Sequence, residues 1–191
     1  MSNNRSFVCN LVSVEDEISF IVWYNLSMKS TGTTPYIIAV CGLKNCGKTT
    51  FVVGLIKELK QLGLRVAAFK HVAHDFICDT NGTDSWRFSE AGAESVAVYS
   101  GHRYMFIKEE PGKPEDLIHL AGDCDIIVIE GGKNLPYPKI AIVREGISAE
   151  PVTRENLIAV ATDTGYTDPD VTTIDLNDHK AAADIIAACL I

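Results

Sequence analysis

The sequence predicts an α/β protein with a doubly wound, mostly parallel mixed sheet that is flanked by helices. Three observations predict this fold class. Short apolar runs alternate with helical patterns from Pro35 onward. The pattern G-x-x-x-x-G-K-T at 42–49 links the first apolar run to the first helix. The length of 191 residues suits one domain with a substantial core and is too short for two ordinary domains.

Strands are predicted where short apolar runs are bounded by glycine, proline or polar residues. They cover residues 36–41, 66–70, 95–100, 104–108, 125–130, 139–144, 156–161 and 172–175. The sequence Gly101-His102-Arg103 separates the third and fourth strands closely enough for a hairpin, so a mixed rather than purely parallel sheet is expected.

Helices are predicted where apolar residues recur every three or four positions, and they cover residues 48–62, 85–91, 114–121 and 178–190. The first ends before Gly63, a residue type that often terminates helices. Asp84 and Asn177 are the predicted N-caps of the second and fourth helices, because short polar side chains accept hydrogen bonds from free backbone N–H groups.

Residues 1–34 look unlike the rest of the chain and are predicted to be a flexible extension of a single domain at 35–191. The alternative for this segment is an extra edge strand over residues 18–24, and Met28 could itself be a start. Three acidic residues at 15–17 interrupt its apolar patches, which argues against a secretory signal and against a membrane span.

Charge and cysteine usage restrict the class of protein further. The net charge of −8 and the lack of a long basic run argue against sequence-independent binding of nucleic acid. The six cysteines form neither a C-x-x-C pair nor a disulfide-scaffold spacing. Because several of them lie in apolar surroundings, the sequence favours a reducing cytoplasm.

The glycine-rich turn has the chemistry of a P-loop nucleotide site, which makes the predicted fold a P-loop NTPase. Its backbone N–H groups and the positive end of the following helix would bind phosphates. Lys48 would reach the β- and γ-phosphates and stabilise charge during hydrolysis, and the Thr49 hydroxyl would bind Mg²⁺. The predicted nucleotide contacts in the turn are Gly42, Lys44, Asn45, Cys46, Gly47, Lys48, Thr49 and Thr50.

Polar residues that follow apolar runs are the next candidates, since ligands of open α/β sheets bind beyond the carboxyl ends of the strands. Lys70 and His71 follow the second strand and suit contact with phosphate, and Asp75 is a candidate Mg²⁺ ligand in the same segment. His71 and His74 are three residues apart, but no third ligand at a recognisable spacing supports a zinc site.

Two further acids are candidates for hydrolysis and for Mg²⁺. Glu130 ends an apolar run in the manner of a Walker B acid, where it could hold Mg²⁺ through water or orient the attacking water. Asp79 has no evident capping role, and an acid near the γ-phosphate would help to hold Mg²⁺. After Glu130, two glycines allow close approach of the backbone, and Lys133 could meet a second anionic group.

Recognition of the base is less clearly encoded. The Asn-Lys-x-Asp signature that many guanine-binding proteins use is absent from the sequence. Asp163 follows the strand at 156–161, and its carboxylate could accept the two N–H donors on the edge of guanine.

Several of these segments occur together in one known family. They are G-L-K-N-C-G-K-T-T at 42–50, K-H-x-x-H-D-F at 70–76, D-S at 84–85, A-G-A at 91–93, E-G-G-K at 130–133 and P-K-I at 138–140. With this ordered set the chain resembles the MobB family, the molybdopterin-guanine dinucleotide biosynthesis proteins B. The resemblance is close over about residues 36–144 and looser to the end of the chain.

The resemblance implies a GTP-binding protein that is at most a slow GTPase. It implies that such a protein assists a partner nucleotidyltransferase, MobA, in joining GMP to molybdopterin, and that it is a homodimer whose subunits exchange β structure. We expect molybdopterin or its guanine dinucleotide to bind in a second, anion-binding pocket near Lys70, Arg87 and Lys133. The sequence departs from the family at Gly132, where an aromatic residue is frequent, and in the extension at 1–27.

Two alternatives of different classes remain open at this stage. One is an ATP-dependent small-molecule kinase or ligase of the dethiobiotin synthetase type, which shares the sheet and also has a lysine after the second strand, as Lys70 is here. The other is a metal-delivery GTPase, against which the lack of a C-x-x-C pair and of a histidine-rich tract argues.

Overall fold

The computed structural model describes residues 34–190. The extension predicted at the N-terminus, and its alternative as an edge strand over residues 18–24, lie outside the described residues up to residue 33. The described residues form two compact units. We call residues 34–71 and 123–190 the sheet unit, and residues 72–122 the hairpin unit.

Within residues 34–190, eight strands and four α-helices lie close to the positions that the sequence predicts. The strands are β1 (Tyr36–Cys41), β2 (Val66–Lys70), β3 (Ser95–Tyr99), β4 (Tyr104–Lys108), β5 (Ile126–Glu130), β6 (Lys139–Val143), β7 (Leu157–Thr162) and β8 (Thr172–Asp175). The helices are α1 (Lys48–Gln61), α2 (Asp84–Glu90), α3 (Pro114–Ile118) and α4 (His179–Ala188), and a 3₁₀ turn at His119–Ala121 follows α3.

The sheet unit contains one six-stranded sheet in the order β2-β5-β1-β6-β7-β8, and every neighbouring pair is parallel. The predicted fold class, a mostly parallel α/β sheet with flanking helices, is confirmed. Because the strands are parallel, their carboxyl ends lie at one edge of the sheet. β1 is central, with β5 and β6 on its two sides, so the segment after β1 lies between the segments that follow β5 and β6.

The core of the sheet unit forms where α1 packs on the sheet. Phe51, Leu55 and Leu59 recur on one face of α1 and are at most 1% exposed. They join Ile38 and Val40 of β1 in a single apolar cluster. Burial of side chains of this size stabilises the fold by about 1.5–3 kcal/mol each, which fixes the start of α1 against the end of β1.

A glycine inside α1 allows α4 to approach closely. A Cβ on Gly54 would lie 2.5 Å from ring atoms of His179, the first residue of α4. The same imidazole stacks at a tilt on Phe51, with ring centroids 5.4 Å apart. Glycine in a helix interior costs about 1 kcal/mol relative to alanine, and the contact with His179 explains why α1 contains one here.

The loop after β7 is held by an ionic cluster around Asp168. Its Oδ2 accepts hydrogen bonds from the Tyr166 hydroxyl and from both terminal nitrogens of Arg154, each at 2.7 Å. Its Oδ1 accepts from the backbone N–H of Asp170 at 3.0 Å. These donors, with the Tyr166 hydroxyl as the largest influence, hold the pKa of Asp168 below its usual range.

Both predicted N-caps are displaced by one residue. Thr83 rather than Asp84 caps α2, and its hydroxyl accepts from the N–H of Trp86 at 3.3 Å. Asp178 rather than Asn177 caps α4, and its carboxylate accepts from the N–H of Ala181 at 2.9 Å. The predictions were wrong because neighbouring polar residues are equally good caps by type, and the backbone geometry selects one of them.

In the hairpin unit, β3 and β4 pair antiparallel, with Ser95 opposite Lys108 and Tyr99 opposite Tyr104. The predicted hairpin is therefore present, but it forms a separate two-stranded sheet instead of extending the six-stranded one. The six-stranded sheet is thus purely parallel and not mixed as the sequence led us to expect, because the antiparallel pair does not join it. Large apolar side chains remain exposed on the hairpin, among them Val98, Tyr99, Tyr104 and Phe106. Across residues 34–190, no helix has both the length and the apolar character that a bilayer crossing requires.

Candidate nucleotide-binding site

The segment between β1 and α1 has the backbone geometry of an anion-binding loop. Asn45 and Gly47 have left-handed φ angles of 65° and 93°. Turns of this kind direct successive backbone N–H groups into one concavity, beside the positive end of α1. A Cβ on Gly42 would lie 2.6 Å from the sulfur of Cys46, so the compact loop requires glycine at position 42.

Lys48, the first residue of α1, folds back over this loop. Its Nζ donates hydrogen bonds to the carbonyl oxygens of Leu43 at 2.7 Å and Gly42 at 3.1 Å, and lies 4.0 Å from the sulfur of Cys46. Cys41 beneath the loop is buried, which is the main reason that its pKa is raised to about 11. Its thiol is therefore neutral near pH 7 and does not weaken the positive potential of the loop.

Glu130 joins the loop to the neighbouring strands. The residue ends β5, pairs in register with Val40 of β1 and Lys70 of β2, and is largely buried, with 14% of its side chain exposed. Its Oε2 accepts a hydrogen bond from the Thr49 hydroxyl at 2.9 Å, and its Oε1 lies 3.7 Å from the ammonium of Lys70. The fold thus brings together three groups that were identified in separate segments of the sequence: the Glu130 carboxylate, the Thr49 hydroxyl and the Lys70 ammonium.

The segment after Glu130 packs closely on the end of β2. The N–H of His71 donates to the carbonyl of Glu130 at 2.9 Å, and the N–H of Gly131 donates to the carbonyl of Val40 at 2.8 Å. A Cβ on Gly131 would lie 2.7 Å from the carbonyl oxygen of His71. His71 is therefore held beside the Walker B-like strand, with its side chain exposed, and Lys133 is exposed further along the turn.

Two charged residues, Arg144 and Asp163, lie on the other side of the loop. Arg144 follows β6, and its Nη1 is 2.8 Å from the point where a Cβ on Gly47 would be. Its Nε is 3.9 Å from Oδ2 of Asp163, whose Oδ1 accepts from the backbone N–H of Glu145 at 2.7 Å. Sequence reasoning missed Arg144 because the predicted strand ran through residue 144, although the arginine directly follows an apolar run.

The remaining predicted residues, Asp75, Asp79 and Arg87, belong to the hairpin unit. Asp79 is held by local hydrogen bonds, since its Oδ1 accepts from the N–H of Thr80 at 2.7 Å and from the Thr83 hydroxyl at 3.2 Å. Hydrogen bonds, first from the Ser85 hydroxyl and then from the Thr80 N–H, keep the pKa of Asp79 below its usual range. Arg87 lies 3.9 Å from Asp84 on α2, and Asp75 is exposed.

Comparison with known proteins decides the family. The family model of molybdopterin guanine dinucleotide synthesis protein B (MobB) matches residues 37–163. The chain belongs to the MobB family. It is 35% identical over 156 residues to a molybdopterin-guanine dinucleotide biosynthesis adapter protein of Haemophilus influenzae, covering 78% of this chain and 86% of that protein. The adapter protein of Escherichia coli is 34% identical, with coverage of 78% and 90%.

Solved structures of the same family share the fold. The crystal structure of Bacillus subtilis MobB has a TM-score of 0.65 and 26% identity, and the match covers 80% of this chain and 96% of that one. The region that the MobB model matches runs from β1 to Asp163, so it includes the loop, Glu130 and Arg144.

The structure gives a physical reason for the glycine at position 132. Its φ of 69° is left-handed, a conformation that residues with a Cβ rarely adopt. A Cβ at this position would also collide with the side chain of Leu135. In this member of the family, the turn after Glu130 is therefore closed by Leu135 and requires glycine.

The site fits Mg²⁺ that is held mainly by phosphate and water. Among residues 34–190, no three His, Cys, Asp or Glu side chains converge in a way that could hold a metal ion. Mg²⁺ is commonly bound through one or two protein oxygens together with substrate phosphates and water. The Thr49 hydroxyl and the Glu130 carboxylate, 2.9 Å apart at the start of α1, are a donor set of that kind.

Proposed function

We propose that this chain is a GTP-binding adapter protein in molybdopterin-guanine dinucleotide synthesis, which assists a MobA-type nucleotidyltransferase in joining GMP to molybdopterin. The observation that carries the proposal is the contact of Thr49 with Glu130 at 2.9 Å beside a glycine-rich loop, in a chain of the MobB family. The names of the relatives, biosynthesis adapter proteins, support the assisting role.

The triphosphate would bind in the loop between β1 and α1. Backbone N–H groups of residues 45–49 and the ammonium of Lys48 would be the donors for the phosphate oxygens. Lys48 donates to two loop carbonyls at 2.7 and 3.1 Å, so its ammonium is already within the loop and has only a short distance to move. Charge-assisted hydrogen bonds of this type are about twice as strong as neutral ones.

We propose that the bound GTP is hydrolysed slowly. Bound Mg²⁺ would neutralise charge on the β- and γ-phosphates. Glu130 accepts a hydrogen bond from the Thr49 hydroxyl, and its remaining lone pairs can orient a water for attack on the γ-phosphorus, which releases GDP and inorganic phosphate. Lys70, whose ammonium lies 3.7 Å from the Glu130 carboxylate, would help to orient that carboxylate and therefore acts as a positioning residue. Asp75 and Asp79 remain candidate Mg²⁺ ligands.

Guanine selectivity would come from Asp163. The N–H of Glu145 holds one carboxylate oxygen at 2.7 Å, which orients the group at the end of β7. An ionised carboxylate has four acceptor positions, so it can accept the two N–H donors of guanine in addition to that backbone bond. Adenine presents no equivalent pair of donors, which makes GTP the favoured nucleotide.

Molybdopterin or its guanine dinucleotide would meet a second group of cations. Lys70 and Lys133 have exposed side chains in an acidic protein, and His71 follows β2 with its imidazole exposed. Arg87 on α2 of the hairpin unit remains a further candidate contact. A phosphate-bearing pterin is attracted by such cations, and the guanine dinucleotide carries phosphate as well. This part of the proposal explains how an adapter could hold the acceptor as well as GTP.

Two chains would associate through their hairpins. The exposed side chains of Tyr99, Tyr104 and Phe106 lie on one face of the β3–β4 hairpin and give it the apolar character that marks protein interfaces. A second copy of the chain is the occupant that the proposal assigns to this face. The cysteines of the described residues are free, which is compatible with the reducing cytoplasm where the protein is proposed to act.

Equilibrium binding to the purified chain tests the proposal most directly. GTP and ATP are titrated with Mg²⁺ and with a chelator, and molybdopterin is titrated separately. GTP is expected to bind more tightly than ATP, and Mg²⁺ is expected to strengthen the binding. Equal affinity for ATP would refute guanine selectivity, and a lack of binding by either nucleotide would refute the proposed function. Added to a MobA-type transferase, the chain should raise formation of the guanine dinucleotide.

A further inference from the structure

Arg144 is a charged residue at the phosphate loop to which neither the sequence pattern nor the family description assigns a role. Its Nη1 is 2.8 Å from the point where a Cβ on Gly47 would be, so the guanidinium lies directly on the loop. The turn after β6 fixes its backbone, since the Arg144 carbonyl accepts from the N–H groups of Ile147 and Ser148, each at 3.0 Å. The Arg144 N–H donates to the Ser148 hydroxyl at 3.1 Å.

The partner of Arg144 in the structure is Asp163, and their contact is loose. The Nε–Oδ2 distance of 3.9 Å exceeds hydrogen-bond range, and 44% of the Arg144 side chain is exposed. A guanidinium has five N–H donors in a planar fork, and one ion pair at this distance does not satisfy them. Asp163 is itself anchored by the N–H of Glu145, so it orients the arginine without consuming its donors.

The strand order shows which end of a nucleotide Arg144 faces. β5 and β6 lie on opposite sides of β1. Glu130 ends β5 and contacts Thr49, so the Mg²⁺ and γ-phosphate end of the site is on the β5 side. Arg144 follows β6 and reaches the same loop at Gly47 from the other side. A nucleotide that lies along the loop with its γ-phosphate beside Thr49 and Glu130 would place its α-phosphate and ribose toward β6.

We infer that Arg144 is a nucleotide-binding residue that contacts the α-phosphate side of the bound guanine nucleotide, and that Asp163 positions it. The inference rests on the proposed function, because it requires that a guanine nucleotide binds in the loop. The inference predicts a specific pattern of affinities for GTP and GDP. A residue on the α-phosphate side stabilises GTP and GDP equally, whereas a residue on the γ-phosphate stabilises GTP alone and raises the rate of hydrolysis.

Arg144→Gln tests the inference, with Arg103→Gln in the β3–β4 turn as the matched control for loss of one arginine. A charge-assisted contact at a partly exposed site predicts that Arg144→Gln binds both GTP and GDP about tenfold more weakly. The ratio of the two affinities, the effect of Mg²⁺ and kcat at saturating GTP should stay as in the unmodified chain. Arg103→Gln should leave all of these values unchanged.

Two outcomes would overturn the inference: unchanged affinity for both nucleotides, or a loss confined to GTP. If Arg144→Gln does not fold, Arg144→Lys keeps the charge but not the planar fork, and it should show a smaller loss that is still equal for GTP and GDP. Because Asp163 is also the proposed guanine contact, Asp163→Asn should weaken the binding of GTP relative to xanthosine triphosphate, whereas Arg144→Gln should weaken the binding of both nucleotides equally. Failure of the unmodified chain to bind guanine nucleotides would instead refute the proposed function.

Discussion

Substitution of Glu130 by Gln is the most informative single change in this protein. It preserves the size of the side chain and an oxygen that can accept a hydrogen bond from the Thr49 hydroxyl, as Oε2 of Glu130 does at 2.9 Å. It removes the negative charge that lies 3.7 Å from Lys70 and that would attract Mg²⁺. The effect of the substitution therefore isolates the charge from the packing.

The expected size of the effect follows from the environment of the carboxylate. Only 14% of the Glu130 side chain is exposed, so solvent screens its interactions weakly. A contact with a charged group contributes about 1.5–3 kcal/mol. Since about 1.4 kcal/mol corresponds to a factor of ten, the Mg²⁺-dependent part of GTP affinity should fall about 10- to 100-fold. Without Mg²⁺, the affinity should stay constant or rise slightly, because one negative charge near the phosphates has been removed.

Isothermal titration of GTP with Mg²⁺ and with a chelator measures both quantities. Glu155→Gln, in the exposed turn before β7, is the matched control and should titrate like the unmodified chain. If Glu130→Gln keeps the full Mg²⁺ dependence, then Glu130 takes no part in holding the ion. The role proposed for the Thr49–Glu130 contact would then be wrong.

Other predictions test the remaining parts of the structure. Lys48→Ala should lower the affinity for GTP about 100-fold in the same titration, and an unchanged affinity would refute binding of GTP in the loop. Lys133→Ala should lower the affinity for molybdopterin and leave the affinity for GTP unchanged in parallel titrations. An equal loss of affinity for both ligands would contradict a separate second pocket. Gly54→Ala should lower the free energy of unfolding by urea by about 1–2 kcal/mol, because the new methyl group displaces the His179 ring. The added change His179→Ala should restore part of that loss, and no loss in the single variant would argue against the contact. The depressed pKa of Asp168 means that its contribution to stability is present above about pH 4 and is lost as the pH falls through the folded-state pKa. Asp168→Asn should therefore flatten the acid limb of a stability–pH curve, and an unchanged limb would count against the cluster.

Local patterns in the sequence were sufficient to predict those parts of the site that lie within one short segment of the chain. The loop from Gly42 to Lys48 lies where the G-x-x-x-x-G-K-T pattern places it, because its geometry depends on glycines and on the adjoining helix. Glu130 could also be found, since it ends an apolar run and its strand pairs directly with β1. The contact between Thr49 and Glu130 follows from that pairing and from the Walker B resemblance.

Features that depend on contacts between distant segments were harder to predict. Arg144 was included in a strand, and only the packing of the β6 turn against Gly47 reveals its position. Thr83 and Asp84 are both good caps by residue type, so the sequence could not choose between them. The hairpin was predicted, but its separation from the six-stranded sheet depends on which strand edges pair, and a single sequence does not show this.

The close packing of His179 on Gly54 and Phe51 has a practical consequence for work with this protein. Phe51 lies one helical turn from Lys48, so α4 supports the helix whose first turn directly follows the nucleotide loop. A truncation or fusion that disturbs α4 would weaken the packing that supports α1 and the loop before it. It would therefore lower the affinity for nucleotide without changing any residue that binds the nucleotide. Affinity tags used in binding experiments should therefore be placed away from α4.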